Sequence, residues 1–280
     1  MFSSQATISR SLPGFVDLEF ARRLELAETM LPDCVDALRR HDPAAPIASA
    51  KIAGGIAFFA GVEYPANQIV GLGLYGEVSA QALDEVEDFY RSRGVQSTMV
   101  VSPMADPSLL ALAAERGYRI AEFNSVLIRP ISAEEPCAPP PGIVIEAVMP
   151  EKNSVWARAI ARGFSEHIAV DESVFTGLPG LPGSLAFLAR IGDVVVGGGA
   201  GRIISEARIA ALFGAATLPE YRRLGVQTAI IARRLHAAAL AGCEFVVVST
   251  QPGSGSQRNM ERRGFRLAYT KLVMVRELRA

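Results

Sequence analysis

The sequence predicts an α+β (α/β) protein built from two tandem copies of one unit. Three observations carry that prediction. Arg116–Arg129 and Arg263–Arg276 match at a fixed offset of 147 residues, with six of fourteen positions identical and four more conservatively swapped. The same offset lays Val100-Val101-Ser102 on Val247-Val248-Ser249, and a constant period marks a duplicated unit. Between the copies lies a proline-rich stretch, Pro130–Gly142, which breaks any regular element and reads as a semi-rigid linker. The chain therefore divides into 1–130, 131–142 and 143–280. In both parts, short apolar β-type runs alternate with helical patterns.

The elements follow in chain order. In the first copy, Val70–Ser79 contains Gly71, Gly73 and Gly76, spelling G-x-G-x-x-G. A dinucleotide site is rejected there, because Gly71–Tyr75 reads as strand and no second βαβ unit follows. Ala80–Arg91 is a helix whose Glu85, Glu87 and Asp88 disfavour an anion nearby. In the second copy, Ile143–Ala147 is a strand. Glu151–Gly163 is a helix with Val155, Ala159 and Ile160 on one face and Trp156 as a packing residue. Phe164–Thr176 is a second helical or loop region, and Gly177–Gly183 a turn. Leu185–Ile191 and Val194–Gly199 form a hairpin around Gly192-Asp193. Arg208–Leu218 is the central strand, Thr228–Ala241 a helix and Glu244–Thr250 a further strand. A polar loop, Gln251–Ser256, leads to a short helix, Gln257–Arg263, which ends at Gly264-Phe265.

The segment joining the central strand to its helix is the most informative. Thr217-Leu218-Pro219-Glu220-Tyr221-Arg222-Arg223-Leu224-Gly225-Val226-Gln227-Thr228 is a strand end, a proline turn, a basic glycine loop and a helix start. Such a loop points successive backbone N–H groups at one spot, where the helix dipole favours an anion. Arg222 and Arg223 add charge suited to phosphate oxygens. This strand–loop–helix resembles motif A of the GNAT N-acetyltransferases, whose loop reads Gln/Arg-x-x-Gly-x-Gly/Ala. Arg222 fills the first position and Gly225 the fourth, while Gln227 departs from the sixth. The following strand, loop, short helix and Gly264-Phe265 continue the pattern, so the resemblance covers about Ile143–Ala280.

The resemblance implies a mixed, mostly antiparallel sheet flanked by helices in each copy, and acetyl-CoA as co-substrate. It implies a pyrophosphate cradle at Arg222, Arg223, Leu224, Gly225, Val226, Gln227 and Thr228. The pantetheine arm would run along the backbone of Ala216, Thr217 and Leu218, with Asn259 within reach of it. For acid and base the sequence offers little. The central strand holds no Asp or Glu, and Met260 stands where many members carry a tyrosine. Glu206 and Tyr269 are the remaining candidates. Glu166, His167, Asp171 and Glu172 lie in the segment that faces the acceptor in the family. The first copy has no Lys or Arg in the equivalent loop and reads as degenerate.

The chain has 280 residues, 50% hydrophobic and 20% charged, with a net charge of −1. That balance gives no reason to expect nucleic acid or membrane as a partner. Cys34, Cys137 and Cys243 form no metal spacing and no disulfide framework, and no signal peptide is read, so a cytoplasmic protein is expected. The function expected is transfer of an acetyl group to a primary amine of a small molecule or peptide by direct attack. A non-catalytic acyl-CoA sensor and a purely structural module stay open, and so does monomer or homodimer.

Overall fold

The computed structural model describes residues 16–132, 134–164 and 171–278. The reading of the extreme N-terminus, and of Glu166 and His167, falls outside the described residues. The first half runs α1 (Leu18–Glu28), α2 (Pro32–His41), β1 (Ile47–Ile52), β2 (Gly55–Ala60), β3 (Ile69–Val70), α3 (Ala80–Arg91), β4 (Ser97–Val101), α4 (Pro107–Glu115) and β5 (Arg119–Pro130). The second runs β6 (Ile143–Ala147), α5 (Asn153–Phe164), α6 (Ser173–Thr176), β7 (Phe187–Ile191), β8 (Val194–Ile204), β9 (Ile209–Thr217), α7 (Val226–Leu240), β10 (Phe245–Thr250), α8 (Gly255–Glu261) and β11 (Arg266–Arg276). The repeat is visible here: β5 and β11 begin 147 residues apart, at Arg119 and Arg266.

Local chemistry sets the helix starts. Asp17, Ser79, Asp106 and Ser254 each accept a backbone N–H at the head of α1, α3, α4 and α8, satisfying donors that the helix itself leaves orphaned. Pro32 and Pro107 sit in the first turn, where a missing N–H costs nothing. Helix α7 differs: its cap is Gly225, which supplies no side-chain hydrogen bond.

The eleven strands of the described residues form one sheet, in the order β1-β2-β3-β4-β11-β5-β10-β9-β8-β7-β6. Every neighbouring pair is antiparallel except β3–β4 and β9–β10, which occupy equivalent places in the two halves. The halves exchange strands. The last strand of the first half, β5, is inserted between β10 and β11 of the second. In turn β11 pairs with β4 of the first half. Helix α1 covers one face of this junction through Phe20, Ala21 and Leu24 against Val126, Ala211 and Val247. Helix α7 covers the other through Ile231 and Leu235 against Leu127, Leu212 and Val246.

Two element readings need correction. Gly71–Tyr75 is not strand: β3 stops at Val70, and Gly71 and Gly73 take φ of 86° and 79°. That left-handed backbone suits glycine and cannot continue a ladder. The turn is fixed from inside, with Leu72 and Leu74 each 1% exposed and Asp106 N–H donating to Gly73 O at 2.8 Å. Strand β8 also runs on past Gly199 to Ile204. Its glycines serve packing rather than termination. A Cβ at Gly198 would lie 2.9 Å from Trp156 Nε1, and one at Gly199 2.7 Å from Ile230 Cγ2.

Candidate functional site

The parallel pair β9–β10 comes apart part-way along. Pairing runs from Ile209↔Phe245 to Leu212↔Val248 and stops. Beyond it β9 stays with β8 as far as Thr217, and β10 stays with β5 as far as Thr250. A bulge between Gly198 and Ala200 on β8, with Gly214 at φ 52°, bends β9 away. The edge of Phe213–Thr217 that faces β10 is therefore without a strand partner, and unpaired backbone groups require another.

A buried arginine sits under the bend. Arg234 of α7 is fully buried, and its Nη1 donates to Ala200 O at 2.6 Å and to Phe213 O at 3.4 Å. Burial lowers this guanidinium to about 10, which still leaves it charged at neutral pH. Both carbonyls belong to the pair Ala200↔Phe213, the first beyond the bulge.

At the mouth of the gap stands the loop before α7. Gly225 is the helix cap with φ 90°, and Arg223 also takes a left-handed φ of 67°. With no side chain capping α7, the N–H groups of Val226, Gln227 and Thr228 are the orphan donors of its first turn. Arg222, Arg223 and Leu224 are exposed around it. Arg222 Nε donates to Thr217 O at 3.4 Å. Pro140 of the linker borders the cradle, 3.1 Å from where a Gly225 Cβ would be. The departure at Gln227 is accommodated: its Oε1 accepts from Asn259 Nδ2 at 2.7 Å, so its side chain reaches α8. Arg263 donates to Thr228 Oγ1, a second tie between α8 and the start of α7.

The strand residues are distinguished by their backbone bonds. Leu218 N–H goes to Val196 O at 2.9 Å. Its C=O accepts Tyr221 N–H at 2.9 Å. Alternation along the strand then turns the N–H of Thr217 to the opposite edge, beside the gap. Ala216 sits against α5, where a Cβ at Gly163 would come within 2.4 Å of its own. Two buried hydroxyls, Thr217 Oγ1 and Thr250 Oγ1, have no hydrogen-bond partner, and each belongs to a strand that borders the gap. Orphaned buried hydroxyls on both lips fit a polar ligand chain.

Residues 156–265 match the acetyltransferase (GNAT) family model. That match spans 110 of the 280 residues, all within the second half of the chain. Solved structures resemble the whole chain. A GCN5-related N-acetyltransferase from Kribbella flavida aligns at a TM-score of 0.64 and 16% identity, covering 90% of this chain and 98% of its own. One from Sphaerobacter thermophilus aligns at 0.59 and 15%, covering 96% and 98%. A tandem GNAT protein from the clavulanic acid biosynthesis pathway aligns at 0.60 and 15%, covering 93% and 94%. These likenesses bear on the fold, which is a tandem GNAT fold. No curated protein matches the sequence.

Neither sequence candidate for acid or base lies at the gap between β9 and β10. Glu206 is exposed in the turn before β9, at the end of that strand away from the loop. Nine residues of strand separate the two, roughly 25–30 Å. Tyr269 is buried and donates its hydroxyl to Glu25 Oε1 at 2.7 Å. Burial first, then Glu25, pushes its pKa far above the tyrosine range. Its place is in the core beneath α1, two strands from the gap. Met260 is a core residue, 3% exposed. Asp171 caps Ser173 N–H at 2.8 Å, and Glu172 pairs with Arg158 at 3.2 Å, which occupies both acidic residues of the acceptor segment that are described.

Sequence reasoning missed the charges that α1 brings to the sheet. Glu28 Oε1 accepts from Ser249 Oγ at 2.6 Å, and its Oε2 pairs with Lys271. Lys271 Nζ also meets Glu25 Oε2 at 3.3 Å. Burial raises Glu25 above ordinary carboxylate values, against the pull of Lys271. Burial works against the Lys271 charge too, but Glu25 and Glu28 outweigh it and hold the ammonium above the lysine range. Only the buried lysine in a β-type run could have signalled this from sequence. A separate cavity of about 330 Å³ lies between the halves, lined by Leu38, His41, Ile47, Tyr64, Thr176 and Leu178 among others. Among the described residues no helix is long and apolar enough to cross a membrane.

Proposed function

We propose that this protein is an acetyl-CoA-dependent N-acetyltransferase that acts from its second half. The observation that carries the reading is the unpaired β9 edge leading to an uncapped α7 N-terminus. The first turn of α7, from Gly225 to Thr228, would hold the pyrophosphate, with Arg222 and Arg223 beside it. Thr217 N–H, its hydroxyl and Thr250 Oγ1 would receive the polar groups of the pantetheine arm. The thioester supplies an activated acetyl group. The protein's part is to align it along the β9 edge and polarise its carbonyl with a backbone N–H. A primary amine of a small molecule or peptide attacks directly, with no covalent enzyme intermediate. Chain division into 1–130, a 131–142 linker and 143–280 goes with this reading, supported by the 147-residue offset, and so does a cytoplasmic location.

We place the transfer site in the second half alone, because the described part of the first half offers no matching cradle. Its equivalent loop is closed by Leu72 and Leu74, and Ser79 caps α3 at Ala82 N–H with a distance of 3.1 Å. A cap of that kind occupies the donors that a phosphate needs.

A second reading is a non-catalytic acyl-CoA sensor. It is favoured by the distance of Glu206 and Tyr269 from the gap. Calorimetric titration with acetyl-CoA, followed by release of the coenzyme thiol in the presence of primary amines, separates the two. The transferase binds and turns over; the sensor binds only. Gly225→Asp places a carboxylate at the cradle and abolishes binding in either case. Unchanged affinity in that variant would sink the loop assignment.

A further inference from the structure

The gap has a carboxylate beside it, and that carboxylate comes from the other half of the chain. Ser249 is the first residue of β10 beyond its pairing with β9. Its side chain shares the sheet face of Phe245 and Val247, the face that α1 covers. There its hydroxyl donates to Glu28, the last residue of α1, at 2.6 Å. Burial deepens away from the gap. Ser249 is half-buried and the Glu28 side chain is 18% exposed, whereas Glu25 and Lys271 are 2% and 3% exposed. The buried hydroxyl of the next residue, Thr250, has no partner and turns to the opposite face of the same strand end.

We propose that Ser249 and Glu28 carry away the proton of the attacking amine, so that the first half supplies the base for transfer in the second. This rests on the transferase reading above. The amine nitrogen bonds to the acetyl carbon, and the carbon–sulfur bond breaks with its electron pair left on sulfur. The nitrogen's proton passes to Ser249 Oγ as the hydroxyl's own proton moves to Glu28 Oε1. It returns along the same path to the departing thiolate. An amine that arrives as an ammonium ion first gives one proton to solvent. Ser249 is the catalytic residue of the pair, and Glu28 acts through it. Lys271 fixes Glu28 by its other oxygen, and Glu25 and Tyr269 fix Lys271. Those groups, with Ser102 beside Tyr269, are the titratable and polar neighbours of Glu28 from its own helix and from β10, β11 and the end of β4. The repeat makes the asymmetry plain. Ser102 is the counterpart of Ser249, yet it faces Tyr269 rather than a carboxylate.

The test compares wild type, Glu28→Gln, Glu28→Asp and Ser249→Ala. Acetyl-CoA affinity is read by calorimetry. Thiol release from acetyl-CoA is read against a panel of primary amines: free amino acids, spermidine and short peptides. We expect acetyl-CoA affinity within about twofold of wild type and kcat lowered roughly a hundredfold or more in Glu28→Gln. The acidic limb of the kcat–pH profile disappears in that variant, and Glu28→Asp restores part of the rate. Wild-type kcat and an unchanged profile in Glu28→Gln overturn the proton path and leave the transferase reading standing. An affinity loss as large as the kcat loss means a structural role and also overturns it. A wild type that binds acetyl-CoA but acetylates no amine overturns both proposals.

Discussion

Replacing Lys271 by methionine tests the buried charge cluster directly. Among the described residues its ammonium is the cation that pairs with both Glu25 and Glu28, and the two oxygens of Glu25 already accept from Tyr269 and Lys271. Methionine fills much the same space, so the change removes a charge without opening a large cavity. Two carboxylates are then left facing each other with no counter-charge. Breaking a buried ion pair on one side costs about 3–5 kcal/mol, and that is the loss expected at pH 7.5. The pH dependence follows from Glu25. Burial raises its folded-state pKa above the unfolded value of 4.5. Stabilisation from such a group is fully present below the unfolded value and is lost as pH rises through the folded one. Without Lys271, the main charge that holds Glu25 down, its folded pKa climbs further and the loss extends to higher pH. Urea denaturation of wild type and Lys271→Met at pH 5 and pH 7.5 measures this. The deficit should be smaller at pH 5, by about 1.4 kcal/mol for each unit of further rise. A deficit below about 1 kcal/mol, or one equal at the two pH values, refutes the reasoning.

Three further expectations follow from the packing. Gly163→Ala drives a methyl to 2.4 Å from the Ala216 Cβ; overpacking of this kind costs about 1–3 kcal/mol, and Ala216→Gly in the same chain should recover most of it in thermal unfolding. Arg234→Met leaves Ala200 O and Phe213 O without their donor. A loss of about 1–3 kcal/mol is expected, with a weaker acetyl-CoA affinity that calorimetry would detect as the bend in β9 relaxes. Expressed alone, residues 143–280 should be insoluble or unfolded by circular dichroism, because β5 is missing from between β10 and β11; co-expression with residues 1–132 should restore a folded pair.

Much of the second half was legible because its signals are local. Ile143–Ala147 and the helix after Gly225 follow from hydrophobic period and turn residues, and the loop announces itself by Arg222 and Gly225. The failures share a cause. Gly71–Tyr75 alternates like a strand, but φ at its glycines is set by burial of Leu72 and Leu74, which no window of sequence reveals. Glu206 looked close to the central strand in sequence, yet stands at its far end in space. Glu28 and Ser249 lie 221 residues apart. Nothing in either neighbourhood tells of the other, because their meeting depends on where α1 lands on the sheet. Strand exchange is equally silent: β5 and β11 resemble each other so closely that the sequence cannot say which sheet slot each takes.

That exchange bears on how such a chain can change over time. A spare copy of a gene ordinarily decays once its product is redundant. Here the first copy has no Lys or Arg in the equivalent loop, yet deleting it would pull a strand from the middle of its twin. Each copy is scaffolding for the other, so loss of chemistry in one is tolerated while loss of its fold is not. The first half is thereby kept in place, and a half that must stay is free to be recruited: its first helix already reaches Ser249 at the end of β10.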